Sequence, residues 1–163
     1  MKTLLALCTL WMLTLAGCQK SAATRGSRSD AEDDIREAVF RYQFQHNHSG
    51  LQQQADAYCL SFGRPGAYQD PPDAFLKRFR DHVPPVRRAS QCEISPPHGV
   101  IDKATGGKGL IFWIATIRWV NDEEVEVEGG YYEAGTSASG NLYRVVREHG
   151  RWVVKQDKLL WIS

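Results

Sequence analysis

The feature that most constrains the fold is a long run of strand-forming residues in the second half of the chain. The sequence GLIFWIATIRWV at residues 109–120 is rich in β-branched and aromatic side chains and is too long for one flat exposed strand. The segment EVEVE at residues 124–128 then alternates without exception, which places two valines on one strand face and three carboxylates on the other. The sequence therefore predicts a curved antiparallel sheet in this half.

A first helix is predicted ahead of the sheet. The spacing of Ser29 and Glu32 fits a capping box, and apolar residues follow at helical intervals, so the helix should run from about Asp30 to Asn47. The side chains expected on its inward face are Ile35, Ala38, Val39, Tyr42 and His46.

A second, shorter helix is predicted after the Asp-Pro-Pro sequence at residues 70–72. Phe75, Leu76 and Phe79 should lie on its buried side, and Pro84 should end it. A short strand is expected before it, at residues 57–62, and residues 141–157 are expected to form a hairpin that turns at 148–150. Helices followed by an antiparallel meander indicate an α+β domain, with the helices packed on one face of a strongly bent antiparallel sheet.

The order of these elements and the ending GNLYRVVREHGRWVV at residues 140–154 resemble the NTF2-like superfamily, which includes ketosteroid isomerase, scytalone dehydratase and polyketide cyclases. The likeness of layout covers about residues 30–163. It implies a cone-shaped α+β fold with a pocket between the first helix and the concave sheet. Fold likeness alone does not assign a function, because one fold carries many activities.

The resemblance also indicates which residues would line that pocket. They are Tyr42 and His46 from the first helix and Trp113, Tyr132 and Tyr143 from the strands. Tyr42 and His46 together could donate to a carbonyl and move a proton, as a cofactor-free lyase or isomerase requires. The competing interpretation, which we favour, is that both side chains serve packing at the helix, so no catalytic residue is assigned.

The N-terminal residues 1–17 have the three parts of a secretory signal: a positive head, an apolar run and small residues before a cysteine. The string Leu-Ala-Gly-Cys at residues 15–18 resembles the lipobox of bacterial lipoproteins. The resemblance implies that Cys18 becomes the first residue of the mature protein and carries its lipid anchor. An ordinary cleaved signal is the alternative. Gln19 resembles the outer-membrane sorting pattern, which implies an envelope protein anchored in the outer membrane and facing the periplasm.

Between the anchor and the domain, residues 18–29 contain no large apolar side chain and are predicted to form a flexible tether. The domain itself should occupy residues 30–163. Cys59 and Cys92 belong to that domain, and an even pair of cysteines in an oxidising compartment predicts a disulfide, with two free thiols as the alternative.

The sequence predicts no metal, cofactor or nucleic-acid site. His46 and His48 are two residues apart, whereas two helical ligands share a face four apart, and no further ligands accompany them. The glycine-rich residues 106–109 lack a Lys-Ser/Thr ending and are predicted to form a hairpin turn, while residues 137–140 should form a flexible bend. The chain carries 20 Lys and Arg against 19 Asp and Glu, which argues against nucleic acid as a partner.

Two charge clusters remain as candidate partner surfaces, although each is equally typical of a solvated face. The acidic cluster is the better candidate, since like charges on one strand face repel each other without benefit to folding. Its members are Glu124, Glu126 and Glu128, and the basic side chains around the second helix are Lys77, Arg78, Arg80, Arg87 and Arg88.

These expectations describe a lipid-anchored envelope protein that presents one NTF2-like domain to the periplasm. The domain would bind a small apolar ligand or another envelope protein, and catalysis is not required. A cofactor-free lyase or isomerase is the first alternative, and a homodimeric structural accessory is the second.

Overall fold

The computed structural model describes residues 20–51 and 54–163, with side chains from residue 28 onward. The predicted signal peptide, the lipid anchor at Cys18 and the sorting residue Gln19 lie outside these described residues. Within the described part of the chain, no helix is both long enough and apolar enough to cross a membrane.

The described ranges contain two α-helices and eight strands. The helices are α1 (Lys20–His46) and α2 (Asp73–Leu76), and a 3₁₀ turn, Lys77–Phe79, continues α2. The strands are β1 (Ala57–Ser61), β2 (Val86–Arg88), β3 (Cys92–Ser95), β4 (Gly99–Asp102), β5 (Gly109–Asn121), β6 (Glu124–Ala134), β7 (Ser137–Glu148) and β8 (Arg151–Ile162).

Six strands form one sheet in the order β2-β1-β5-β6-β7-β8, and β3 and β4 form a separate antiparallel pair. Strands β5 to β8 are antiparallel neighbours, as predicted. Strand β1, however, pairs in parallel with both β2 and β5, so the sheet is mixed rather than wholly antiparallel. The crossover through α2 allows the parallel pairing of β1 and β2, because parallel neighbours need a long connection. The fold is α+β with a mostly antiparallel sheet.

The register of the sheet shifts at several points, which bends the strands. In β5 one shift lies between Ile114 and Thr116. Before this shift the even-numbered residues of β5, including Phe112, face the helices, and after it odd-numbered residues such as Trp119 do. We call the sheet face that packs against the helices the inner face, and the opposite side the outer face.

Aromatic side chains fill the space between the helices and the inner face. The Phe44 ring of α1 lies 5.7 Å from the Phe79 ring and 5.1 Å from the Phe112 ring, measured between centroids. Phe40 makes similar contact with Phe75 at 6.0 Å. Edge-to-face pairs of this kind contribute beyond the apolar area that they bury. The core is therefore continuous from α1 through α2 to the sheet.

Helix α1 differs from its prediction in two ways. It begins at Lys20 and not near Asp30, because residues 20–29 contain no proline and allow the helix to continue through the predicted capping box. The residues predicted as a tether are therefore helical from Lys20 onward, and their role as a tether stays a prediction. The buried stripe is also rotated, since Phe40 and Phe44 lie in the core while His46 is exposed.

Two of the predicted turns have different outcomes. The β7–β8 hairpin turns at His149 and Gly150, whose φ angles of 51° and 78° fit the type I′ turn of a two-residue hairpin, and this prediction is confirmed. The bend predicted at residues 137–140 is wrong, because these residues form the start of β7. Ser139 is buried there, so strand pairing prevails over the flexibility expected from a serine-rich segment.

The predicted disulfide between Cys59 and Cys92 is confirmed. It joins β1 of the large sheet to β3 of the small one, with the two Cα atoms 6.4 Å apart. Val100 and Ile111 pack around it on the outer face and form a second, smaller apolar cluster. This cross-link thereby attaches the β3–β4 pair to the main sheet.

Candidate functional site

The predicted site residues come closest to one another in an open cleft at the C-terminal end of α1. The cleft has a volume of about 470 Å³ and lies between the end of the helix and strands β7 and β8. Its lining combines aromatic, histidine and carboxylate side chains with one leucine. The lining residues are Tyr42, His46, Asn47, His48, Asn141, Asp157 and Leu159.

The end of α1 is held in place by two polar contacts. Asn47 Nδ2 donates to the backbone carbonyl of Gln43 at 2.8 Å, which satisfies a carbonyl near the helix end. Beyond the helix, Ser49 Oγ donates to a carboxylate oxygen of Glu133 at 2.6 Å and ties the loop to the end of β6. The rim of the cleft is thus fixed to the sheet.

Tyr42 and His46 stack one turn apart on α1. Their ring centroids are 4.2 Å apart with an interplanar angle of 11°, and the exposed imidazole places its Nδ1 atom 3.0 Å from the backbone carbonyl oxygen of Tyr42. In the described part of the chain no hydrogen bond joins the two side chains. This geometry supports packing at the helix end, and it lacks the in-line contact that proton transfer between them requires.

The hydroxyl of Tyr42 is a hydrogen-bond donor at neutral pH. Partial burial raises its pKa above the ordinary value, and the negative charge of Asp157 raises the pKa further. A phenol with a raised pKa keeps its proton, so Tyr42 can act as an acid or a donor but not as a base.

A short polar chain across β7 and β8 fixes the carboxylate in the cleft. Ser139 Oγ donates to Asn141 Oδ1 at 2.8 Å, and Asn141 Nδ2 donates to Asp157 Oδ1 at 2.5 Å. Sequence reasoning missed these three residues. The strand alternation of β7 that begins at Ser137 would have placed Ser139 and Asn141 on the same face as Tyr143, had the segment been read as a strand.

Tyr143 lies deeper, in the core beside the cleft. Its ring meets Tyr42 edge-on at 5.8 Å, and its hydroxyl accepts a hydrogen bond from Gln43 Nε2 at 3.3 Å. Burial raises the pKa of Tyr143 far above the range of a solvated phenol. Gln43 also donates to the backbone carbonyl of Trp113 at 3.3 Å, while its own Oε1 has no hydrogen-bond partner among the described residues.

Two of the predicted pocket residues, Trp113 and Tyr132, do not face the cleft. The Trp113 ring lies on the outer face and stacks against Trp161 at 6.4 Å between centroids. Tyr132 packs against the apolar cluster around the disulfide. In β5 Trp113 shares its parity with the outward Ile111, and in β6 Tyr132 shares its parity with the outward carboxylates, so strand alternation directs both side chains away from the helices. The expectation of one pocket formed by all five aromatic and histidine side chains is wrong.

The three carboxylates of β6 alternate outward as predicted, but they are not an unneutralised acidic surface. Each carboxylate binds a different arginine. The pairs are Glu124 with Arg144 at 2.7 Å, Glu126 with Arg118, and Glu128 with Arg64 at 2.9 Å. Pairing with opposite charges on the neighbouring strands and on the loop after β1 offsets the repulsion, so the physical argument for a partner surface at these residues no longer holds.

Other charged candidates are likewise engaged in structural contacts. Arg78 bridges Asp34 and Glu37 of α1 at 2.8 Å each, and Arg88 pairs with Asp73. The predicted glycine-rich turn is organised by Asp102, whose carboxylate accepts a hydrogen bond from the backbone of Ala104 at 3.1 Å. Among the described residues, no group of three or more His, Cys, Asp or Glu side chains is placed to hold a metal ion.

The last four residues of β8 form an exposed apolar surface, which we call the β8 end. Leu159, Leu160, Trp161 and Ile162 are between 42% and 58% exposed. Strand β8 is also the last strand of the sheet and pairs only with β7 in the described structure, so its outer edge presents free backbone donors and acceptors. Four consecutive apolar residues at residues 159–162 were a signal in the sequence that our interpretation did not use.

Comparison with known proteins adds no relative. No protein-family model, no curated protein and no solved structure matches this chain.

Proposed function

We propose that this chain is a lipid-anchored protein of the bacterial envelope whose NTF2-like domain binds another envelope protein through the β8 end, without catalysis. The lipobox at residues 15–18 supports the anchor. The Cys59–Cys92 disulfide is consistent with an oxidising compartment such as the periplasm. The location is the outer membrane, with the domain facing the periplasm.

The architecture supports the assignment to the NTF2-like class. A long N-terminal helix packs on the inner face of a sheet whose four longest strands form a bent antiparallel meander. The helix-first order of elements and the hairpin at residues 140–154 agree with the layout of that class. The small β3–β4 pair on the outer face is an addition to this layout.

The observation that carries the proposal is the filled interior. Proteins of this class that act on small molecules have a pocket between helix and sheet, whereas here that space holds a continuous aromatic core. Binding is therefore assigned to the surface, where the β8 end combines a free strand edge with exposed apolar side chains.

The partner we propose is a protein that supplies an extended apolar segment. A free strand edge recognises such a segment by main-chain hydrogen bonds, and the alternate side chains give the specificity. Lys158, which precedes the β8 end, is exposed and makes no ion pair among the described residues, so a carboxylate in the partner would complement it.

Photo-crosslinking in the intact cell tests this proposal. A photoreactive phenylalanine analogue replacing Leu160 is expected to give one dominant adduct with another envelope protein. The matched control replaces Thr116, which is equally solvent-facing on β5 of the outer face, and should give none. The absence of an adduct at position 160, equal adducts at both positions, or an adduct of twice the chain mass would contradict the proposal.

The lipid anchor has its own test. Cys18→Ser is expected to move the protein from the membrane to the soluble periplasmic fraction, because the acyl chains attached to that residue supply the membrane affinity. Retention of the variant in the membrane would refute the lipid anchor but would not bear on the proposal that the β8 end binds a partner.

A cofactor-free lyase or isomerase is the second candidate, favoured by one observation: Tyr42, His46 and Asp157 line the same open cleft. Its chemistry would use the Tyr42 hydroxyl as the proton donor. Tyr42→Phe must then abolish any turnover that the purified protein shows, whereas Tyr132→Phe, whose ring packs against the cluster around the disulfide, must leave it unchanged.

A further inference from the structure

A second cleft lies between the N-terminal half of α1 and the ends of β5, β7 and β8, and has a volume of about 520 Å³. We propose that it binds a small organic cation of the quaternary ammonium class, and that Arg28 occupies the site from within the chain when the ligand is absent. The proposal is independent of the β8 end, because none of the residues of that surface lines this cleft.

Two indoles form the walls of the site. The Trp119 and Trp152 rings lie 5.6 Å apart between centroids and nearly perpendicular, at 82°. The pair is edge-to-face, and the face of an aromatic ring carries partial negative charge, so the Trp119 ring attracts a cation that lies in the corner beside the second indole. Quaternary ammonium groups, which cannot donate hydrogen bonds, are recognised in this way.

The contacts of Arg28 show that a cation fits beside the Trp119 ring. The central carbon of its guanidinium lies 5.4 Å from the centroid of the Trp119 ring, within the range of a cation–π contact. The same guanidinium lies 3.8 Å from a carboxylate oxygen of Asp122. Both side chains are largely exposed, at 54% and 96%, so this pair is weak and a free cation can displace the arginine.

The charges around the corner favour a cation once Arg28 has left. Asp30 and Asp122 then face the cleft without an ion-pair partner among the described residues, against the single guanidinium of Arg147. A third carboxylate, Asp34, is held by Arg78. Choline carries a quaternary ammonium group and is the probe chosen for this site.

Calorimetric titration of the purified protein with choline chloride at low ionic strength tests the inference. Choline is expected to bind with a dissociation constant on the order of 1–10 mM, and its neutral carbon isostere, 3,3-dimethylbutan-1-ol, is expected to bind at least several-fold more weakly. Arg28→Gln should tighten choline binding by about 2- to 5-fold, since the internal competitor is gone. Arg64→Gln makes the same charge change outside the cleft and should leave the affinity for choline unchanged.

Replacing an indole that forms a wall of the cleft should weaken choline binding. Trp119→Leu should abolish choline binding, while Trp161→Leu, on the other face of the sheet, should leave it unchanged. If Trp119→Leu does not fold, the exposed Asp122→Asn variant is expected to weaken choline binding by about 2-fold or more at low salt. Equal binding of choline and its isostere, no choline binding to either the wild type or Arg28→Gln, or unchanged binding to Asp122→Asn would overturn the proposal.

The quaternary ammonium could belong to a free solute or to a lipid headgroup, and the source can be distinguished. Sedimentation with phosphatidylcholine vesicles uses the Cys18→Ser variant, which lacks the predicted anchor. Vesicle binding that requires Trp119 assigns the site to a headgroup. Binding of free choline without vesicle binding assigns it to a soluble ligand.

Discussion

Among single residues, Gly129 makes room for the amide side chain of Gln43, which is buried beside the aromatic core. Gln43 reaches through the core to the backbone carbonyl of Trp113. A Cβ atom at position 129 would lie 2.6 Å from that carbonyl oxygen and 2.8 Å from Gln43 Nε2. Because a real Cβ almost never approaches so closely, a side chain here would force the helix and the sheet apart.

Gly129→Ala is accordingly expected to lower the free energy of unfolding by about 1–3 kcal/mol. The matched control is Gly135→Ala in the β6–β7 turn, where a Cβ would meet nothing within 4 Å, and its effect should stay within about 0.5 kcal/mol. Urea denaturation of the two variants measures the difference. Equal stability of both would mean that helix and sheet are not in contact at residue 129.

The Glu124–Arg144 pair is predicted to respond to acid. The hydrogen bonds from Arg144 lower the pKa of Glu124 below its ordinary value. A carboxyl whose pKa is lower in the folded state than in the unfolded state stabilises the fold at pH values above its unfolded-state pKa. This stabilisation is lost as the pH falls through the folded-state pKa. NMR titration of the side-chain carboxyl should show the lowered pKa, and Arg144→Gln should return it toward the ordinary value. An unchanged pKa in Arg144→Gln would contradict the pairing, while Lys158→Gln serves as the control.

Among the secondary-structure elements, α1 has a buried face whose position could not be predicted from its own sequence. Apolar spacing correctly predicted a helix with Ile35 and Val39 buried, but it could not choose between Tyr42 and Phe44 as the next inward residue. The choice depends on Phe75 and Phe79, which lie more than 30 residues away in sequence and pack against Phe40 and Phe44. Local periodicity does not contain this information.

Two substitutions on α1 test the observed stripe. Phe40→Ala should cost about 3–5 kcal/mol of stability, because the ring is fully buried among other phenylalanines. His46→Ala, on the exposed side, should cost about 0.5 kcal/mol or less. Thermal or chemical denaturation gives both values, and a larger loss from His46→Ala than from Phe40→Ala would restore the orientation expected from the sequence.

The alternation of side chains predicts the two faces correctly in β6 but not in β5. The regular EVEVE segment predicted the faces of β6 correctly, and both valines are fully buried. In β5 the same reasoning fails for Trp113, because the shift between Ile114 and Thr116 exchanges the two faces along one strand. Such a shift is set by the neighbouring strand and leaves no sign in the residues of β5. The candidate cleft was therefore only half predictable.

At the scale of the whole molecule, two apolar layers flank the main sheet. The aromatic core fills the inner side, and the cluster around Cys59 and Cys92 attaches the β3–β4 pair on the outer side. The composition and the cysteine count could indicate a well-packed, cross-linked domain, but not that the interior is filled. Since aromatic side chains occupy the space between the helices and the sheet, we place binding at the open clefts and surfaces of the domain.

Native mass spectrometry distinguishes a domain that binds through its surface from one that binds through an interior pocket. The protein would be purified from an oxidising periplasm without added ligand and exchanged into a volatile buffer, which removes any millimolar ligand of the second cleft. We expect a single species at the mass of the disulfide-bonded polypeptide with its acyl groups. A reproducible small-molecule adduct that survives the exchange would contradict this expectation, because such retention requires an enclosed pocket.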